Sequence, residues 1–150
     1  MNPVLFILMR DELNSFSSGK KMAQAAHAGN AFETAFEAEM HKARLENKLD
    51  HSNPTKETDL YTSFWEWKRQ TLQGFGTTIV LGASMAQIRT DVECLGRAGF
   101  LTEIIHDPTY PLVDGSVTHL IPLDTCAYVF APNKDNVYLR IVLDKYSLHP

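Results

Sequence analysis

Residues 3–9, PVLFILM, are apolar at every position, show no alternation, and end against Arg10, Asp11 and Glu12. Successive side chains of a strand point to opposite faces, so a strand with one wet face alternates, while an unbroken run is buried on both faces. A sheet that contains such a strand needs helices on either side of it. This run therefore sets the expected class: α/β, with the sheet as the middle layer.

The rest of the chain reads in that light. From Gly19 the composition turns to helix formers, with Met22, Ala26, Gly29, Glu33, Phe36 and Met40 at helical spacing. Residues 42–58 are polar and broken by Asn53-Pro54, as an exposed excursion would be. Helical spacing returns over 61–72, a β-branched strand pattern over 77–81, and Ser84 with Gln87 has the form of a capping box opening a helix that Gly99 would stop. Strands are expected at 100–106, ended by Asp107-Pro108, and at 125–131, with Asp114-Gly115 marking a hairpin between them. Residues 137–143 fit a strand or a short helix equally. At 150 residues the chain suits one domain. The expectation is a single-domain three-layer α/β/α fold around a mixed four- to five-stranded sheet, with a polar excursion at about 42–58.

Composition narrows function. The net charge of -4 argues against indiscriminate binding of polyanions, so any nucleic-acid contact must be local. Two cysteines without a CxxC spacing read as reduced core thiols, and the N-terminal apolar run lacks a basic flank and cleavage site. No run approaches the roughly 18 apolar residues of a membrane span. A cytoplasmic setting without membrane attachment is expected. The six histidines form no HxH or HExxH pattern, so no metal site is expected.

The chemistry is concentrated in SGKKMAQAAHA, residues 18–28. A helix start carries about half a positive charge and unpaired N–H donors, so Gly19, Lys20 and Lys21 form an anion cradle or else a solvated pair after a serine cap. Cations are disfavoured at that end by up to about 1 kcal/mol, which gives their placement a functional colour. A Walker A loop is excluded, since Asn14 stands where glycine is needed and Lys21 where a hydroxyl is needed. His27 lies two turns, about 10 Å, beyond Lys20 and reads either as packing or as a base. Asp107 reads as a turn cap or as a site residue at a strand's carboxyl end. Phe64, Trp65 and Trp67 fit helix-to-sheet packing better than base stacking, with Lys68 and Arg69 available to a basic rim.

The run VLFILMR followed by SGKKMAQAAHA resembles the type 2, archaeal and eukaryotic, family of peptidyl-tRNA hydrolases, whose signature is G-K-x-x-A-Q-x-x-H-A after a strand and an arginine. Weaker similarity continues through Trp65, Trp67, TTIVLGAS, FLTEIIHD and TCAYVFAP, covering most of the chain outside 42–58. The resemblance implies hydrolysis of the ester joining a peptide to the terminal ribose of tRNA, with no metal and no cofactor. It implies Lys20, Asp107 and Thr125 as catalytic residues and Arg10, Gly19, Lys21, Gln24 and His27 at the substrate, with Thr118 the other match for the family's threonine. The tRNA acceptor end is the implied partner, and a homodimer is compatible with it. Where the family has D-A-G-x-T-Q-x-x-P-G, this chain has DPTYPLVDG, followed by SVTHLIPLD, which reads as an inserted hairpin at about 110–122. That altered wall motivates an alternative: a non-catalytic tRNA-end or protein-binding module on the same fold.

Overall fold

The computed structural model describes residues 2–148. Its elements are β1 (Val4–Arg10), α1 (Ser18–Leu45), α2 (Lys56–Lys68), β2 (Thr78–Ala83), α3 (Met85–Arg97), β3 (Leu101–Asp114), β4 (Val117–Ala131), α4 (Val137–Leu143) and β5 (Ser147–Leu148). The five strands form one mixed sheet in the order β3-β4-β1-β2-β5. β1 and β2 are parallel, and β4 is antiparallel to both of its neighbours, so β1 and β3 run in the same direction on either side of β4.

The apolar run of β1 is buried on both faces, as its lack of alternation requires. Leu5, Ile7 and Met9 join Cys126, Tyr128 and Phe130 of β4 beneath Phe32, Phe36 and Met40 of α1 and Phe64 and Trp67 of α2. Leu8, with Ala127 and Val129, faces Ile88 and Leu95 of α3 and Leu139 of α4. The fold is thus a three-layer α/β/α sandwich. In one helical layer Phe36 of α1 stacks on Phe64 of α2, and Phe32 of α1 stacks on Phe130 of β4, joining that layer to the sheet.

The stripe that α1 buries differs from the spacing read in the sequence. Gln24, Ala28, Phe32, Phe36, Met40 and Ala43 face inward, while Met22 is exposed. A polar Gln24 on the buried face is the feature that apolar periodicity could not show. α2 starts at Lys56, five residues before the expected 61, because Thr55 and Thr58 form a reciprocal capping box. Ser84 caps α3 through Gln87 N–H, but the Gln87 side chain turns to Asp91 instead of closing a box. Gly99, at φ 95, ends α3 with the paired bonds Phe100 N–H to Leu95 O and Gly99 N–H to Gly96 O. Residues 137–143, open between strand and helix, are helical, with Asn136 accepting from Leu139 N–H.

The largest departure is at β3. Asp107-Pro108 does not end the strand, which continues to Asp114 and returns from Val117 as β4. Proline is tolerated because β3 is an edge strand and the ladder bulges there. The two-residue turn is Gly115-Ser116, between the Asp114–Val117 pair, with the positive φ of 60 at glycine. That is the II′ pattern with glycine first, and not a turn centred on Asp-Gly.

Candidate functional site

Loop 11–17 leaves the carboxyl end of β1 and enters α1 through Ser17, which is extended and makes no side-chain cap bond. The first turn of α1 therefore keeps unpaired N–H groups and contains no acidic residue. From this turn the Lys20 ammonium donates to Pro111 O at 2.7 Å and to Ser15 O at 3.2 Å, 4.9 Å from the centre of the Tyr110 ring. An ammonium has three donors, so two fix Lys20 and one is left to aim outward. Tyr110 is buried, packs edge-on against Phe16, and donates its hydroxyl to Ser15 O, which ties the loop to the hairpin.

One turn further along α1, Gln24 is 2 % exposed and bridges two strands. Its Nε2 donates to Asp107 Oδ2 at 2.7 Å, and its Oε1 accepts from the Thr125 hydroxyl at 2.7 Å. Asp107 Oδ1 accepts from Thr109 N–H and from the Thr109 hydroxyl.

Two compensating bulges make this convergence. The register passes from Ile105–Cys126 to His106–Asp124, so Thr125 is an extra residue on β4, and from Asp107–Leu123 to Tyr110–Ile121, so β3 carries an extra residue next. A bulge lets two successive side chains share a face. Thr125 and Cys126 consequently both turn toward Gln24, and Asp107 and Tyr110, three apart, both turn toward α1.

Burial raises the Asp107 pKa, but the Thr109 N–H, the Gln24 amide, the Thr109 hydroxyl and the nearby His27 outweigh it and hold it below the usual 3.8. Because the folded value is depressed, this carboxylate's stabilising contribution is complete above the ordinary value and is lost as pH falls through the folded one. Denaturation series at falling pH should show Asp107→Asn flattening the stability loss below about pH 4. Burial also pushes the Cys126 thiol up to about 12, against the opposing Thr125 hydrogen bond. Thiol reagents followed by mass spectrometry should modify Cys126 only when the protein is unfolded.

The expected site residues separate into those that converge and those that do not. Lys20, Gln24 and Asp107 lie at one end of the sheet, as the common direction of β1 and β3 requires. Carbonyls, and not Asp107, anchor the Lys20 amine, and the carboxylate binds Gln24. Thr125 is 0 % exposed and spends its proton on Gln24, so it positions the site from below and does not meet a substrate. Thr118 is exposed on the outer arm of the hairpin, paired with Val113, and is not part of the site.

Arg10 is also committed elsewhere. Its guanidinium donates to Asp124 O and Glu12 Oε1 on a side chain 12 % exposed, so it braces the end of β1 and is not a free phosphate ligand. Gly19 is exposed at the helix mouth with open space where a Cβ would stand, and Lys21 is half-buried beside it. His27 is exposed and lines a hollow of about 510 Å³ that it shares with Asp107. Lys68 and Arg69 do not supply a rim: they end α2 near Pro3 and Thr77, at the opposite end of β1, about 20 Å away. Trp67 is buried there and Lys68 pairs with Glu33.

Sequence reading missed Ser15, Tyr110 and the Pro111 carbonyl, which seat Lys20, and a second cluster on the α3 side of the ribbon. There Asp124 accepts from His106 Nδ1 and Arg89, and these bonds, the His106 one foremost, hold its carboxyl below the usual range against burial. Among the described residues no group of three or more His, Cys, Asp or Glu side chains is placed to hold a metal ion, and no helix is long and apolar enough to cross a membrane. No family model matches the sequence, and no curated protein matches it.

Proposed function

We propose that the chain hydrolyses the ester between a peptide and the terminal ribose of tRNA, with no metal or cofactor, in a cytoplasmic setting. The observation that carries this reading is the Lys20 ammonium, seated by the Ser15 and Pro111 carbonyls at the open start of α1 with one donor spare, one helical turn before Gln24, which holds Asp107. Water adds to the ester carbonyl, and the developing oxyanion is met by Lys20 and the free N–H groups of the first turn of α1. Collapse breaks the bond to the ribose oxygen, which takes up a proton as the peptide acid leaves. Asp107, with its depressed pKa, is a weak general base and a good anchor, so it orients the water. The proton passes to the exposed His27 imidazole or to solvent. Gly19 and Lys21 border the acceptor-end phosphates.

A second reading is favoured by the same network. With Thr125 sealed and both Asp107 oxygens engaged, the site also suits a module that binds a tRNA end without cutting it. One assay decides: N-acetyl-aminoacyl-tRNA with purified protein and a chelator. Release of N-acetyl amino acid supports the hydrolase. Binding of deacylated tRNA without any cleavage, by protein shown to be folded, replaces it with the second reading.

A further inference from the structure

Among the described residues β3 pairs with β4 alone, so alternate N–H and C=O groups along residues 101–107 point out of the sheet. Open edges are usually blunted by proline, bulges or a covering element. The arm beyond Asp107 has such devices in Pro108, Pro111 and the second bulge. Residues 101–107 contain no proline and border the hollow of about 510 Å³, which residues 103–109 line on one side and His27 and Ala31 of α1 on the other. A groove between a helix and a free strand edge matches an extended peptide backbone in both shape and hydrogen-bonding pattern. Residues 103–109 span about 20 Å at roughly 3.3 Å per residue, room for about five residues of guest.

What lies at the end of the groove selects the guest. Asp107 belongs both to the groove and to the Gln24 network, so the two are continuous. We infer that the peptidyl part of the substrate binds as an added strand on β3, running parallel to it, with its esterified carboxyl end at Asp107 and its amino end toward Glu103. This rests on the hydrolase reading for the placement of the ester. Recognition is through the main chain, with guest side chains passing alternately to the His27 and Ala31 side and to the Ile104 and His106 side, so peptide sequence matters little.

An acetylated single-residue ester offers the edge little backbone, and a tetrapeptidyl ester offers a full strand. The kcat/KM for tetrapeptidyl-tRNA should exceed that for acetyl-aminoacyl-tRNA by about 10-fold, and N-methylation of one edge-facing amide should remove about 3- to 10-fold, the scale of one hydrogen bond. Equal rates for both esters, indifferent to N-methylation, would overturn the groove and leave the hydrolase reading standing. A second measurement is independent of turnover: a tetrapeptide joined by an amide to 3′-amino-3′-deoxyadenosine is titrated into isotope-labelled protein. Amide shifts concentrated at residues 101–107 support strand addition, even if no ester is ever cleaved and the hydrolase reading falls. Shifts elsewhere, no binding, or a dimer that buries this edge against a second copy would overturn it.

Discussion

Lys20→Ala is expected to lower turnover at saturating peptidyl-tRNA by at least about 100-fold, the usual scale for removing one donor that meets a developing oxyanion. The change removes the spare donor at the mouth of α1 and leaves the Gln24 network intact. Because the Ser15 and Pro111 carbonyls lie in a half-open place where water can replace the amine, stability should change by only about 1 kcal/mol, about 2–4 °C in Tm for a chain of this length. Lys20→Arg should recover little, because a planar guanidinium cannot reproduce a compact ammonium that serves two carbonyls and still points outward. A salt series separates catalysis from phosphate binding. If Lys20 acts on the ester, the slope of tRNA affinity against ionic strength is unchanged in the variant; a phosphate contact would reduce it by about one unit. Near wild-type release of acetyl-amino acid would remove Lys20 from the chemistry.

Gln24→Leu is expected to destabilise the fold by about 2–4 kcal/mol, roughly 5–15 °C in Tm, although it conserves size and adds apolar surface. The cost comes from the Thr125 hydroxyl, which is fully buried and loses its acceptor, and from Asp107, which loses a donor at 2.7 Å. Removing the orphan should restore stability: Thr125→Val on the Gln24→Leu background is expected to recover about half of the loss, because a buried polar group without a partner costs more than no polar group at all. Activity should not recover with it, since the Asp107 carboxylate has then lost the Gln24 donor on Oδ2 and is held through Thr109 on Oδ1. Denaturant titration and acetyl-aminoacyl-tRNA release, measured on the same three variants, separate the two effects. Additive losses in the double variant would show that Gln24 and Thr125 do not act through one another.

Reading from sequence succeeded where a pattern is local. The double-sided burial of β1 follows from an unbroken apolar run, and the stop of α3 at Gly99 follows from the one residue that takes a positive φ without strain. It failed where a neighbour across the sheet overruled the local signal. Asp107-Pro108 looks like a strand end, yet an edge position and a bulge carry the strand through it. Gln24 was expected at the substrate, yet it is buried, with Asp107 and Thr125 satisfying it in the core. Thr125 was the better sequence match and Thr118 fitted with the gap placed differently; the bulge at Thr125 turns that residue inward, while Thr118 stands exposed on the hairpin arm.

The chain's own pattern was enough to determine a sheet enclosed by helices, a helix opening just after the serines at 17 and 18, and a lysine pair placed there against the helix dipole; that Ser17 leaves the helix uncapped came from the structure. Tertiary structure alone decided which groups that lysine and its neighbours would meet. The deciding bonds span 91 residues from Lys20 to Pro111, 83 from Gln24 to Asp107 and 101 from Thr125 to Gln24. The reason is physical: periodicity and propensity report on residues a few positions apart, whereas a one-residue slip in the pairing of β3 with β4 changes which side chains face α1, and nothing local to either strand sets that register.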